Sequence, residues 1–567
     1  MSLPHNGDQN AGWSKEKGGD QGKKMANHLD ELLACLGKPG RYQTLIFICL
    51  ALNYCPLVFN HVIMAFFGST PPHTCVAGKN LNISGISAVL VDTKNAKCES
   101  QLIFDNNETR SIKCSGDDWM FYGYDREKTI VTEWDLVCDD SYLSGLATTI
   151  YFCGVMVGGL LFGWFADQFG RRPIMLLCLY LPIPIGIGIS FANSYILFVV
   201  LRFFQGILMQ GLQTSSYILA MELVVPRHRP YIGAFIECFW GASVITVAGL
   251  AYFIRNWRYI QLAISIPSVL AAFYICFVPE SLRWLIMRKK FDEAGKLIEK
   301  TCRVNKLPVP TDTWEIIKNQ SIKDYSRTNY NFIHLLKTPE LRKRSLIMFY
   351  CWVAVAVGYY GLTFKITSLA GNKYLNFFIG AVVEFIAYVL AIGVMRFFGR
   401  KKPMIFYAFV ASITCIIAGA LPKISENGTD LTMISTGFAI AGRFSMAGMF
   451  SVIFLFTSEL YPTVIRNIGL GTCAFWARLG GVIAPQINSL SKFASSSVPS
   501  SIPVIVFGVM TFIAAFLIFL LPETHNQKLA DTIEDVENKL DNSIEKDYRV
   551  DNSKQKDIPS ESVDTRL

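Results

Sequence analysis

Residues 163–173 read GWFADQFGRRP, and residues 398–403 read FGRKKP. In each, a glycine and a knot of cations stand between long apolar runs. Adjacent cations do not sit in hydrocarbon, so each stretch marks a polar turn between two membrane spans. The repetition extends further. MELVVPRHRPYIG (221–233) returns as SELYPTVIRNIG (458–469), which sets Glu222 against Glu459 and Arg229 against Arg466. Arg202, in RFFQG, matches Arg443, in RFSMAG, and Pro279-Glu280 matches Pro522-Glu523. The offsets run only from 229 residues (169 to 398) to 243 (279 to 522), so they record one duplication.

Composition agrees with a membrane location. Of 567 residues, 51% are hydrophobic and only 17% charged, too apolar for a water-soluble chain of this length. A helix crosses a bilayer in about 20 apolar residues. Twelve such runs occur, near 43–67, 143–166, 173–191, 195–220, 231–253, 259–278, 345–365, 374–396, 404–421, 430–457, 467–490 and 501–521. Prolines and glycines such as those of LPIPIGIGIS (181–190) are tolerated because neighbouring helices satisfy the freed backbone groups. The expected fold is an all-α polytopic membrane protein of twelve transmembrane helices in two six-helix pseudo-repeats. Its parts are an N-terminal segment 1–42, a first half 43–278 containing a long loop 68–142, a linker 279–344, a second half 345–521 and a tail 522–567.

Residues 1–24 are polar and lack the apolar core of a signal peptide. Residues 279–345 carry fifteen Lys/Arg against eight Asp/Glu, and residues 68–142 carry seven against twelve. The positive-inside rule then puts the linker and both termini in the cytosol and the long loop outside. The net charge of +9 is spread beside spans, without a basic patch interleaved with aromatics, so nucleic acid is not expected as a partner. Four of the fifteen cysteines, Cys75, Cys98, Cys114 and Cys138, fall in the long loop. An even count in an oxidising compartment suggests two disulfides, with three pairings open. Asn82, Asn107 and Asn427 are glycosylation sequons on the same side, whereas the sequon at Asn319 lies in the cytosolic linker and should stay bare.

GWFADQFGRRP resembles the loop signature of the major facilitator superfamily. TEWDLVC (132–138), PESLRWL (279–285), TSELYPTVIRN (457–467) and LPET (521–524) resemble the organic cation/anion/carnitine transporter family within it, over roughly residues 25 to 535. Two features depart from that pattern: many relatives have six cysteines in the first loop, and residues 1–24 precede the usual start, so Met25 is an alternative initiator. The resemblance implies a major facilitator fold and transport by alternating access.

Such a carrier needs gates at the helix ends. Gly163, with Gly158 and Gly159, is expected to admit close helix approach. Asp167, Arg171, Arg172 and Glu222 supply gating charges, repeated as Arg400, Lys401, Glu459 and Arg466; Arg202 and Arg443 are assigned to the same set. A GxSxG elbow, a P-loop, HExxH and CxxC are all missing from the sequence, and the seven histidines have no metal-ligand spacing, so neither an enzyme nor a metal site is expected.

Two charges lie deep in the spans. Arg478, in GTCAFWARLGGVIAP (471–485), sits eleven residues into its run, roughly 17 Å at 1.5 Å per residue. Glu384 sits ten residues from the other end of its own run, roughly 15 Å down. At that depth a lone charge costs about 2.5–3.5 kcal/mol, so each should face a cavity or have a partner, including each other. The family resemblance implies more. Members that carry cations have an acid at the position of Arg478, and anion and carnitine members have Arg. Cation and carnitine members have Glu at the position of Glu384. Both together imply a zwitterion such as carnitine or a betaine, with an organic cation uniporter, an organic anion exchanger or a non-transporting sensor or scaffold as the alternatives. Trp352, Tyr359 and Tyr217 match cavity positions of the family, and ring faces attract onium groups. Glu237 is a third buried acid, where relatives often have an amide; it is assigned with Arg478, Glu384, Trp352, Tyr359 and Tyr217 to substrate binding, and reads also as a proton or coupling site, or as a partner for Arg202 or Lys365. A neutral zwitterion gains nothing from the membrane potential, so its concentration needs a co-transported ion, yet no sodium site is legible and no cofactor is expected. The closing Thr565-Arg566-Leu567 fits the pattern bound by PDZ domains. A multi-pass protein of the plasma membrane is the expected whole.

Overall fold

The structure is a computed structural model. It describes Leu32 and residues 40–75, 86–90, 98–104, 109–114, 118–122, 127–225, 228–310, 314–315, 331–422, 424, 429–493, 501–525, 527, 530 and 532–537. The sequons Asn82, Asn107 and Asn427, Met25 and the closing Thr565, Arg566 and Leu567 lie outside the described residues.

Among the described residues, twelve helical spans follow the apolar runs. They are α1 (Arg41–Phe67), α2 (Leu143–Phe169), α3 (Arg171–Ser190), α4 (Tyr195–Glu222), α5 (Arg229–Phe253), α6 (from Trp257), α7 (Pro339–Lys365), α8 (Lys373–Phe398), α9 (Lys401–Ala420), α10 (Thr432–Leu460), α11 (Arg466–Phe493) and α12 (Ile502–Phe519). Among the described residues, eleven are long and apolar enough to cross a membrane unaided. The sixth is the exception. It is α-helical over Trp257–Ser265, winds more tightly as a 3-10 helix over Ile266–Phe273, and closes with the turn Tyr274–Phe277. Pro267, just inside the switch, has no amide to offer an α-helical carbonyl.

Small residues decide how near the helices come. A Cβ on Gly158 of α2 would strike the Ile207 carbonyl, and one on Gly206 of α4 the Tyr151 carbonyl. Gly154, one turn before Gly158, likewise meets the Phe203 carbonyl. Gly163, expected to act with Gly158, does not: an added Cβ would have nothing within 4 Å. Five residues beyond Gly158, it has turned off the stripe that i, i+4 spacing keeps on one face.

The polar turns that opened the sequence reading are capped alike. Gly170 (φ 110°) and Gly399 (φ 85°) take left-handed conformations that bring the chain round sharply into α3 and α9. We call the end bearing these turns and the 279–344 segment the linker face. The opposite end bears the long loop and is called the loop face. On the linker face the amphipathic helix Phe291–Asn305 buries Ala294, Ile298 and Cys302, spaced four apart.

On the loop face, β1 (His73–Cys75) pairs antiparallel with β5 (Trp119–Phe121), setting His73 opposite Phe121, and β2 (Ile86–Leu90), β3 (Glu99–Phe104) and β4 (Thr109–Lys113) form a second antiparallel sheet in that order. Disulfides join Cys75 to Cys114 and Cys98 to Cys138, one of the three pairings left open by the sequence. Glu133 fastens the loop to the first six helices, accepting from Trp257 Nε1 (2.6 Å) and from Arg258 (2.5 Å).

Candidate functional site

The linker-face charges form two similar clusters, one in each set of six helices. Arg171, at the start of α3, reaches Asp167 (2.9 Å) and Glu222 at the end of α4 (3.3 Å). Arg400 reaches Glu459 at the end of α10 (3.0 Å) in the same way. Glu280 accepts the amides of Arg171 (3.1 Å) and Arg172 (3.3 Å) at the N-terminus of α3, and Glu523 those of Arg400 (3.1 Å) and Lys401 (3.2 Å) at the N-terminus of α9. A carboxylate at a helix N-terminus meets unpaired amides and a favourable dipole. Burial pushes the Glu280 carboxyl above its ordinary value, against the amides of Ser281, Arg172 and Arg171. Burial acts the same way on Glu523, but amides of Arg400, His525, Lys401 and Thr524 together hold it below its ordinary value. Arg466 contributes differently, donating to the Tyr461 carbonyl (3.4 Å) and Thr463 (3.3 Å), and Arg229 donates to the Met221 carbonyl (3.2 Å). Each cluster braces its own six helices.

Arg202 and Arg443, grouped with the gates from the sequence, lie elsewhere. Arg202 is fully enclosed, held by Gln205 (3.0 Å) and the Asn60 carbonyl (3.0 Å), with its guanidinium 4.3 Å from the Tyr151 ring centre. Arg443 pairs with Glu384 through Nε (3.1 Å) and a terminal nitrogen (2.7 Å), and both side chains are 0% exposed. The other Glu384 oxygen accepts from Tyr359 (2.6 Å) and Tyr388 (3.0 Å). Glu384 was expected to open onto a cavity level with Arg478; instead four donors use it up. Bilayer depth is legible from residue counting, but the direction a side chain faces is set by packing between α8 and α10.

Arg478 keeps accessible surface at the centre of the molecule. Its Nε donates to Gln210 (2.8 Å) and a terminal nitrogen to Gln213 (2.8 Å), both on α4. Tyr217, one turn beyond Gln213 on α4, and Phe475, one turn before Arg478 on α11, are part-exposed, while Trp476 stacks on Phe349 with ring centres 5.7 Å apart. Trp352 is 1% exposed and donates to Thr457 (3.0 Å), so it is packed between α7 and α10 rather than offered to a solute. Tyr359, 2% exposed, relays a chain of bonds: Trp240 of α5 donates to it (2.8 Å), and it donates to Glu384. Glu237 retains surface and accepts from Ser451 of α10; it contacts neither Arg202 nor Lys365. Four of these partners were missed: Gln210, Gln213, Trp240 and Ser451. Two amides three residues apart in an apolar span were a readable signal for the first pair.

The bonds that join the two sets of helices fall at the centre or toward the loop face, among the described residues. At the centre they are the Arg478, Trp240 and Ser451 bonds above. Toward the loop face, Lys373 and Tyr374 of α8 close on Glu127, Thr367 donates to the Ala65 carbonyl (3.1 Å), Gln486 to Thr149 (2.8 Å), and Phe66 stacks on Tyr374. No group of three or more His, Cys, Asp or Glu among the described residues is placed to hold a metal.

Among the described residues, twelve helices in two similar sixes, bonded to one another at the centre through Arg478, Trp240 and Ser451 and again toward the loop face, define a multi-pass membrane carrier of the major facilitator class. The chain belongs to the family described as sugar (and other) transporter, whose profile matches residues 91–535. Among curated proteins it is 31% identical to the "Organic cation transporter protein" of Drosophila melanogaster (90% of this chain, 94% of that one). It is 30% identical to "Solute carrier family 22 member 3" of Rattus norvegicus (90% and 95%) and 28% to "Organic cation/carnitine transporter 2" of Homo sapiens (89% and 93%). Among solved structures it resembles the inward-open xylose transporter XylE of E. coli, with a TM-score of 0.60 at 18% identity over 88% of this chain and 99% of that one.

Proposed function

We propose that this chain is a plasma-membrane carrier that moves small organic ions by alternating access, with zwitterions such as carnitine or betaines as its preferred class. One observation carries the reading. Of the five N–H groups on a guanidinium, Arg478 commits two to neutral amides, and no carboxylate lies within ion-pair reach of it among the described residues. Its surface stays accessible. A cation in mid-membrane without a counter-charge is stabilised when a solute brings a carboxylate to its planar fork. The relatives, named for organic cations and for carnitine, support the same class.

In this reading the six-helix halves 43–278 and 345–521 rock about the centre that holds Arg478. The basic linker 279–344 and both termini face the cytosol, and the loop faces outward. The bonds toward the loop face correspond to a state closed outside and open inside. The linker-face clusters keep each half rigid as it moves. Uptake of a neutral zwitterion against a gradient then requires a coupled ion or an exchanged solute.

Cells expressing the wild type and Arg478→Ala, each assayed for radiolabelled carnitine, tetraethylammonium and an aromatic carboxylate, with and without sodium and with depolarisation, test the proposal. The expected result is carnitine uptake by the wild type and its loss in Arg478→Ala at unchanged surface labelling. Carnitine uptake that survives Arg478→Ala removes the carboxylate role. A wild type that reaches the surface and takes up none of the three favours a sensor or scaffold.

A further inference from the structure

A zwitterion that docks its carboxylate on Arg478 leaves an ammonium group to be placed, and the centre of the molecule offers two acids. Glu384 is enclosed, with both oxygens occupied by Arg443, Tyr359 and Tyr388. Glu237 differs in each respect. It keeps accessible surface, one oxygen accepts from the Ser451 hydroxyl, and among the described residues the other has no partner and no Lys, Arg or His lies within ion-pair distance. Tyr217 of α4 reaches the same side of α5: its hydroxyl lies 3.9 Å from where a Cβ on Gly233, one turn before Glu237, would stand. Tyr217 is also one turn beyond Gln213, a partner of Arg478, so the same stretch of α4 holds the arginine and meets α5 beside the glutamate. Trp240, three residues along α5 on the same side as Glu237, is part-exposed and fixed by its bond to Tyr359. An acid beside ring faces in a region of low dielectric is the chemistry that holds a protonated or quaternary ammonium.

We infer that Glu237, flanked by Tyr217 and Trp240, is the ammonium subsite and the residue that makes this carrier favour zwitterions and cations over simple anions. The assignment rests on the reading of the chain as an organic-ion carrier. Glu384 becomes a structural acid that holds α7, α8 and α10 together.

The test compares KM and maximal rate for carnitine, tetraethylammonium and an aromatic carboxylate in the wild type, Glu237→Gln and Glu237→Asp, normalised to surface protein. In Glu237→Gln the KM for tetraethylammonium and carnitine should rise about tenfold or more, with the aromatic carboxylate unchanged or better transported. Glu237→Asp, which keeps the charge and shortens the reach, should show a smaller rise and answers the question if the glutamine variant fails to reach the surface. An equal change for all three solutes, or an unchanged cation KM, overturns the assignment while leaving the carrier intact. A wild type that transports none of them brings down the carrier reading and this subsite together.

Discussion

Two arginines in the second half follow opposite rules. Arg443 is enclosed with Glu384, and a pair taken out of water is held by mutual attraction only while both members remain. Removal of one, as in Glu384→Leu or Arg443→Leu, should cost about 3–5 kcal/mol, whereas the double replacement should recover most of that loss; thermal unfolding of the purified carrier measures all three. Arg478 is instead satisfied by amides and accessible, so Arg478→Ala should barely move the same melting point. The helix-capping acids supply a pH signature. Glu523, held below its ordinary value, stabilises the fold above the ordinary carboxylate range and loses that effect as the pH falls through its lowered value. Glu280 is held above its ordinary value, so its contribution is present at acid pH and is lost as the pH rises through the raised value. Wild type minus Glu523→Gln should therefore gain stability with rising pH, and wild type minus Glu280→Gln should lose it; melting curves across the acid range decide the signs. Among single residues, the sequence disclosed which charges were deep but not their neighbours. Glu384 and Arg443 are 59 positions apart, and no periodicity within one span says which face meets another.

At the scale of elements, legibility was higher because span length is fixed by bilayer thickness. The run at 195–220 became Tyr195–Glu222, and the run at 374–396 became Lys373–Phe398. What escaped was the 3-10 winding inside α6 and the strands of the long loop, whose short, weakly alternating stretches carry little signal beside their charges. The contact of α2 with α4 gives a sharp comparison. Gly158→Val should cost about 1–3 kcal/mol by overpacking and lower surface expression, while Gly163→Val, with open space around it, should match the wild type. The loop disulfides give another. Cys98→Ser with Cys138→Ser opens a crosslink across 40 residues; a loss of about 2–5 kcal/mol is expected, seen as faster proteolytic nicking of the loop.

For the whole molecule, the duplicated sequence became duplicated architecture: Arg171, Glu222 and Glu280 recur in space as Arg400, Glu459 and Glu523. The conformational state was not legible, since one sequence must encode both open faces. Glu127 with Lys373 is the charged clasp of the loop face, and loss of one charged hydrogen bond, about 1.5–3 kcal/mol, should move the balance between the two faces at least tenfold. Glu127→Gln should accordingly lengthen spin-label distances measured across the loop face.

The same loop that offers Glu127 to α8 also anchors Glu133 on Trp257 and Arg258, so it grips both halves at once, like a strap across a lid. A stiff antibody fragment raised against the disulfide-bonded loop need not reach Arg478 to arrest the carrier. By binding the strap and leaning on α8, it would hold the two sets of helices together at the loop face while leaving the residues around Arg478 untouched.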